Sequence, residues 1–295
     1  PATSTTIDIA GDNATALALD GDGWRLSQTG GGVRVFDNGA ARVRLISDDA
    51  QLFVGPLLQP AAIAVADLDG TDGFTIDGAF SASDYNFGGA VAGIGDFNGD
   101  GLDDFAVTAD LSSGRDPGAN GPGNGEVYVI FGRTDQQPES VNPRDLDGSD
   151  GFAIVGQADE RIGFSVDSAG DLNGDGFDDL IIGAPNSGAA GDVFVIMGAS
   201  TAPSANLSTA DINGINGFKS SGANAGDTTG IDVASAGDFN RDGFDDLLIG
   251  APGGDGGGVR DEGETYLVFG ANNFGTQSGF GIDLDNLSAS AAIRF

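Results

Sequence analysis

The phrase GDLNGDGFDDLII, residues 170–182, occurs twice more in nearly the same form, as GDFNGDGLDDFAV at 95–107 and GDFNRDGFDDLLI at 237–249. A phrase that returns in fixed register marks a repeat, and that reading precedes any other. An apolar run follows each copy: GEVYVIFG at 125–132, GDVFVIMG at 191–198 and GETYLVFG at 263–270. A turn-rich phrase precedes each: DLDGTDGF at 67–74, DLDGSDGF at 145–152 and DINGINGF at 211–218. The order of pieces is constant, giving units of about 61–140, 141–207 and 208–282, with a fourth beginning at 283–295 on DLDNLSAS.

Within a unit the spacing predicts four short strands. One ends at the acidic phrase (GFSVDSAG), one leaves it (DDLIIGAP), one is GDVFVIMG and one is GFKSSG. Val, Ile and Phe fill these runs and Gly and Asp separate them, which suits strands and turns, and no 3.6-residue apolar period persists. Repeated four-stranded antiparallel units bury their faces only against neighbours, as propeller blades do. The fold class expected is all-β, of β-propeller-type blades forming an incomplete or open propeller, with an additional N-terminal β region. In that region, residues 1–60, VRVFDNGAARVRLIS places two period-2 runs around Asp37-Asn38-Gly39, a hairpin signal.

Each acidic phrase reads D-x-N-x-D-G-x-D-D, with oxygen side chains at loop positions 1, 3, 5 and 9. Alternate positions of a tight turn can converge on one point, Gly at position 6 permits the reversal, and the position-7 carbonyl can add a ligand. The candidate ligands are Asp96, Asn98, Asp100, Leu102 (carbonyl) and Asp104; Asp171, Asn173, Asp175, Phe177 (carbonyl) and Asp179; and Asp238, Asn240, Asp242, Phe244 (carbonyl) and Asp246. Hard oxygen donors without His or Cys favour Ca²⁺, about three ions in all, over zinc or copper. An EF-hand would need Glu at position 12, where this chain has Val107, Ile182 and Ile249 inside a strand. Solvated Asp/Asn/Gly turns are the plain alternative for one copy. Three copies in one register argue against it.

Composition narrows the function. The net charge is -33, of which the first 60 residues supply only -3. Such a chain repels nucleic acid and anionic membrane, and its compact state gains from bound cations. With no His and no Cys, the commonest general base, thiol chemistry and disulfides are absent. Enzymatic activity is not expected. No window approaches a membrane span. The chain opens at Pro1 without an initiator Met or a leader, and reads as a segment of something longer.

The phrases resemble the FG-GAP repeat family, found in integrin α-subunit propellers and in bacterial surface proteins. The pieces that carry the resemblance are Phe87-Gly88, Gly183-Ala184-Pro185 and Gly250-Ala251-Pro252, set around the acidic loops; the first unit has Thr108-Ala109-Asp110 where GAP is expected. The resemblance implies a seven-bladed propeller holding Ca²⁺ in the loop between the first two strands of several blades. Calcium affinities of about 10⁻⁴ to 10⁻³ M suffice outside a cell. The expected role is therefore a calcium-binding structural or adhesion module of a larger bacterial surface or secreted protein, located outside the cell or on its surface. Its expected partner is a protein or glycan on a cell surface or matrix, or another copy of itself, with no nucleic acid and no membrane insertion. Length-variable loops at 110–124, 186–190 and 253–263, with Arg115 and Arg260, are the candidate partner surface. Two alternatives stand beside this role. One is a carbohydrate-binding or polysaccharide-active propeller, disfavoured by a single Trp (Trp24) and by Tyr128 and Tyr266 sharing a core-like strand slot with Phe194. The other is a subunit of a self-assembling filament or layer.

Overall fold

In a computed structural model of the chain, the described residues are 4–7, 17–20, 25–30, 33–37, 42–46, 68, 73–78, 86–111, 123–134, 140–201, 203, 205–254, 262–274, 282, 284 and 292–294. The chain divides into two compact units, Pro1–Asp67 and Leu68–Phe295. The first holds β1 (Ser4–Ile7) paired with β2 (Leu17–Asp20), and a three-stranded antiparallel sheet of β3 (Arg25–Gly30), β4 (Val33–Asp37) and β5 (Arg42–Ile46). β4 and β5 pair antiparallel with Asp37 opposite Arg42, a hairpin at the place of the Asp37-Asn38-Gly39 signal.

The second unit is built from β6 (Thr75–Ile76), β7 (Phe87–Gly95), β8 (Asp104–Ala109), β9 (Glu126–Ile130), β10 (Ser140–Val141), β11 (Gly151–Val155), β12 (Ser165–Gly170), β13 (Asp179–Ala184), β14 (Asp192–Ile196), β15 (Asn206–Ser208), β16 (Gly217–Ser221), β17 (Val233–Gly237), β18 (Asp246–Ala251), β19 (Glu264–Val268) and β20 (Ala292–Arg294). Three antiparallel four-strand arrays result: β7-β8-β9-β11, β12-β13-β14-β16 and β17-β18-β19-β20. These are propeller-type blades, and the fold is all-β: the helical pieces among the described residues are short 3₁₀ turns, at Pro143–Asp145, at Thr209–Asp211 and at Leu284. No described helix is long and apolar enough to cross a membrane.

Burial shows why the strand sequences run continuously apolar. All six residues of β13 and all five of β14 are buried, because blade two is covered on both faces. Ile94, Val129, Phe152 and Ile154 of blade one meet Val166, Leu180, Ile182 and Phe194 of blade two in one core. Ile181, Val193, Val195 and Phe218 meet Leu247, Ile249, Tyr266 and Val268 of blade three in the next. Phe152 stacks obliquely on Phe97 and Phe131, with ring centroids 5.8 and 6.0 Å away.

Sequence units and blades are out of phase. The phrase that opens each unit leads into the outer strand of the blade before it: DGFAI enters β11 of blade one, and the segment from Asp283 leads into β20, which pairs with β19 to finish blade three. The connection from the third to the fourth strand also reaches outward. Between β14 and β16 it runs through β15, which pairs in parallel with β11 of the preceding blade, and between β9 and β11 it runs through β10, which pairs in parallel with β6. Thr75–Ile76 therefore has the place of an outer strand ahead of blade one. With Val141 and Leu146 its Ile76 covers the outer half of that blade's first face, over Val107, Tyr128 and Ile130.

Candidate functional site

The acidic phrases form the loops joining the first two strands of every blade, β7 to β8, β12 to β13 and β17 to β18. Each loop opens on a bulge that shifts the register at Gly95, Gly170 and Gly237, all left-handed (φ 71, 62 and 60°). Only glycine takes that conformation freely, and the extra residue re-aims the chain so that the following Asp turns back over the loop.

The three loops share one hydrogen-bond pattern. At position 5, the Asp100 N–H donates to both Asp96 Oδ1 (3.0 Å) and Asn98 Oδ1 (2.8 Å). Asp175 does so to Asp171 (3.0 Å) and Asn173 (2.9 Å), and Asp242 to Asp238 and Asn240 (both 2.9 Å). Oxygens from positions 1 and 3 thus converge within reach of one atom in every copy. The position-6 glycine N–H donates to the second carboxylate oxygen of position 1, at 2.9, 3.0 and 3.1 Å. Leu102, Phe177 and Phe244, at position 7, donate their N–H to the position-5 carboxylate.

Position 9 closes the loop from below. Asp104, Asp179 and Asp246 begin the second strand of each blade and are 2%, 0% and 0% exposed. Asp104 accepts from the N–H groups of Phe97 (3.0 Å), Asn98 (3.3 Å) and Gly132 (2.8 Å), and Asp179 and Asp246 accept from the equivalent donors Leu172 and Gly198, and Phe239, Asn240 and Gly270. Loss of hydration pushes all three carboxyls up, Asp104 to about 6 and Asp179, enclosed between two blades, to about 8; the neighbouring position-5 carboxylates add to the rise. No basic side chain among the described residues pairs with any of them.

As the loops stand, the carboxylates are turned onto backbone N–H groups, and among the described residues no group of three or more Asp, Glu, His or Cys side chains is placed to hold a metal ion. The donor set nevertheless fits a hard cation. Oxygens of positions 1, 3 and 9 all surround residues 97–100 or their equivalents, and among the described residues the position-9 charge has no protein cation to neutralise it.

The position-8 aspartates have a separate task that the sequence reading missed. Asp178 of blade two accepts from the Asp96 N–H of blade one (2.8 Å) and returns its own N–H to the Asp96 carbonyl (3.2 Å). Asp245 of blade three clasps Asp171 of blade two in the same way, at 2.9 and 3.2 Å. The recurrent Asp-Asp pair was the available signal, since one carboxylate closing the loop leaves the other unexplained. In blade one, Asp110 stands where the other units have proline; it accepts from Asn86 Nδ2 (2.6 Å) and pairs with Arg161 of the next blade (3.6 Å).

Tyr128, Phe194 and Tyr266 are buried, at 1%, 1% and 0% exposed, as their shared strand slot predicts. Tyr128 and Tyr266 donate their hydroxyls to the buried Glu126 and Glu264. A cavity of about 650 Å³ beside the second loop is lined by Asn173, Asp175, Met197, Ile215 and Phe274, among others. Arg115, Arg260, Trp24 and most of the two longer variable loops lie outside the described residues.

Comparison with known proteins falls on these same segments. A family profile described as "FG-GAP repeat" matches residues 87–130, 163–196 and 229–268, each running from the first strand of a blade to its third. The chain is 30% identical over 198 residues to a phosphatidylinositol-glycan-specific phospholipase D of Dictyostelium discoideum, covering 60% of this chain and 19% of that protein. It is 32% identical over 162 residues to integrin alpha-PS5 of Drosophila melanogaster (54% of this chain, 14% of the integrin), and 36% identical over 98 residues to integrin alpha-IIb of Mus musculus (33% and 8%). The chain thus spans less than a fifth of each of these relatives. The chain therefore carries three FG-GAP repeats, each laid out as a blade with an acidic loop between its first two strands.

Proposed function

We propose that the chain is a calcium-binding, extracellular adhesion and scaffold module, carried by a surface or secreted protein and without catalysis of its own. The observation that carries this reading is the threefold loop whose hard oxygens converge above a buried, uncompensated aspartate. Asp96, Asn98, Asp100 and Asp104 would hold the first ion, Asp171, Asn173, Asp175 and Asp179 the second, and Asp238, Asn240, Asp242 and Asp246 the third, with carbonyls from Leu102, Phe177 and Phe244. Bound calcium supplies two positive charges to a chain with a net charge of -33. The loop carboxylates would then turn from their backbone donors towards the ion, and position 9 would stay ionised.

Likeness to integrin α chains supports adhesion as the role, with a protein or glycan of a cell surface or matrix as partner. The phospholipase relative does not extend its activity here, because the chain matches 19% of that protein and its repeated carboxylates are assigned to metal. A millimolar-range affinity would keep the loops loaded outside a cell and empty inside one.

Calorimetric titration and thermal unfolding with calcium, with magnesium and with a chelator test the reading. Calcium at tenfold saturation should raise stability by roughly 1.4 kcal/mol per site. The triple variant Asp100→Asn, Asp175→Asn and Asp242→Asn should lose the rise. A melting temperature indifferent to calcium would return the loops to ordinary turns.

A further inference from the structure

We propose that Asn98 and Asn173, at position 3 of the first two acidic loops, are self-modification sites, where the backbone nitrogen of the next residue attacks the side-chain amide and converts it to aspartate or isoaspartate. Both are followed by glycine, Gly99 and Gly174, whereas Asn240 in the third loop is followed by Arg241. A glycine nitrogen has no Cβ beside it to hinder its approach to the preceding side chain.

The loop supplies what the step needs. The Asp100 N–H donates to Asn98 Oδ1 at 2.8 Å, which stabilises the negative charge that this oxygen takes on as Cγ becomes tetrahedral. Asp100 Oδ2 lies 3.0 Å from Asn98 Nδ2, placed to relay to the departing nitrogen the proton that Gly99 gives up. In the second loop the same two contacts, between Asp175 and Asn173, are both 2.9 Å. The nucleophiles are unencumbered: Gly99 and Gly174 are exposed, and the N–H of neither meets an acceptor among the described residues. The glycine nitrogen bonds to Cγ, the bond from Cγ to Nδ2 breaks, and Nδ2 leaves as ammonia with the glycine's proton. Water then opens the cyclic imide at either carbonyl, giving aspartate or, with the backbone diverted through the side chain, isoaspartate.

Two sites in the same chain serve as controls. Asn240 accepts from the Asp242 N–H at 2.9 Å and donates to Asp242 Oδ2 at 2.8 Å, so its amide is prepared alike and the attacking residue, Arg241, is what differs. Asn213-Gly214 is the same dipeptide, but Gly214 is buried and its N–H donates to the Gly217 carbonyl at 2.8 Å. Packing between blades holds glycine in the first two loops: a Cβ on Gly99 would lie 2.2 Å from Phe177, and one on Gly174 2.5 Å from Phe244. The fold therefore keeps a reactive dipeptide at position 3 of two loops. Conversion to aspartate sets two carboxylates face to face where an amide donated to one, and isoaspartate lengthens the backbone under the Phe of the next blade.

Incubation of the full chain in chelator at mildly alkaline pH, followed by peptide mapping and mass spectrometry, reads each site as the exchange of one NH for one oxygen. The chelator makes the outcome independent of the calcium reading. Asn98 and Asn173 should convert at least about fivefold faster than Asn213 and Asn240, since a hydrogen bond that must first break slows a step by roughly that factor. Arg241→Gly, at an exposed left-handed position (φ 62°) that glycine takes without strain, should bring Asn240 to the rate of the other two loops. Conversion of Asn213 as fast as that of Asn98 and Asn173 overturns the proposal. So does a chain in which neither loop asparagine converts, or an Arg241→Gly variant whose Asn240 stays intact.

Discussion

Replacing the position-8 aspartates one at a time tests whether the inter-blade clasp holds the array together. Asp178→Ala deletes a 2.8 Å bond from the Asp96 N–H to a carboxylate and leaves that donor in a half-buried seam, and Asp245→Ala does the same to Asp171 at 2.9 Å. The reciprocal backbone bonds, 3.2 Å in both junctions, survive the change. A hydrogen bond to a charged group contributes about 1.5–3 kcal/mol. In a unit the size of Leu68–Phe295 that corresponds to a melting temperature lower by about 3–12 °C. Asp103→Ala supplies the control, because Asp103 occupies the same loop position, is exposed and clasps nothing. Its loss should stay within about 0.5 kcal/mol. All three substitutions remove one negative charge from a chain of net charge -33, so any general relief of repulsion cancels in the comparison. Urea unfolding at fixed calcium and fixed ionic strength gives the three free energies and their slopes. If Asp178→Ala and Asp245→Ala cost no more than Asp103→Ala, the clasp is a by-product of blade packing and does not hold the array together.

Two further outcomes follow from the loops. Burial raises Asp179 to about 8 and Asp104 to about 6 from an unfolded value of 3.8, so the calcium-free folded state binds more protons than the unfolded one. Stability in chelator should therefore be greatest below about pH 4 as far as these groups are concerned, and fall as pH rises towards 8, by at most about 1.4 kcal/mol per pH unit per group; calcium should abolish that slope, and a calcium-independent slope in urea titrations would contradict the assignment. Gly170→Ala and Gly237→Ala impose the same left-handed strain, about 1–2 kcal/mol, but only Gly170→Ala drives a methyl against a neighbouring blade, 2.1 Å from Asp245. Gly170→Ala should be the more destabilising of the pair in the same assay, and equal losses would show that the junction yields.

Much of the blade was legible in the sequence because its signals are local. The run of five apolar or small residues after each acidic phrase, the Asp-Asn-Asp spacing and the Val/Ile-rich third strand all lie within one blade. Position 12 falls inside β8, β13 and β18, which bears out the exclusion of an EF-hand. What stayed hidden depends on neighbours. Asp178 and Asp179 are adjacent and chemically alike, yet one reaches into the preceding blade and the other is sealed beneath its own loop. A single chain read in order cannot separate them, since the partner of Asp178 lies 82 residues away. The strand set of a blade is legible, since GFKSSG is expected after GDVFVIMG and β16 does pair with β14; the unit bounds are not, because GF at 151–152 and 217–218 looks like the opening of a unit while its strands complete the blade before.

The parallel pairing of β15 with β11 bears on how the array would respond to load. To peel β11 from blade one, its bonds to β9 and its bonds to β15, a strap thrown back from blade two, must break together. The strap is continuous with β14 and β16, so tension on one outer strand is shared with the sheet behind it. Rupture should then advance junction by junction from an unstrapped end and not by the loss of one blade from the middle. In an adhesion module, that would make the sewn seams between blades, more than the blades, the parts that bear force.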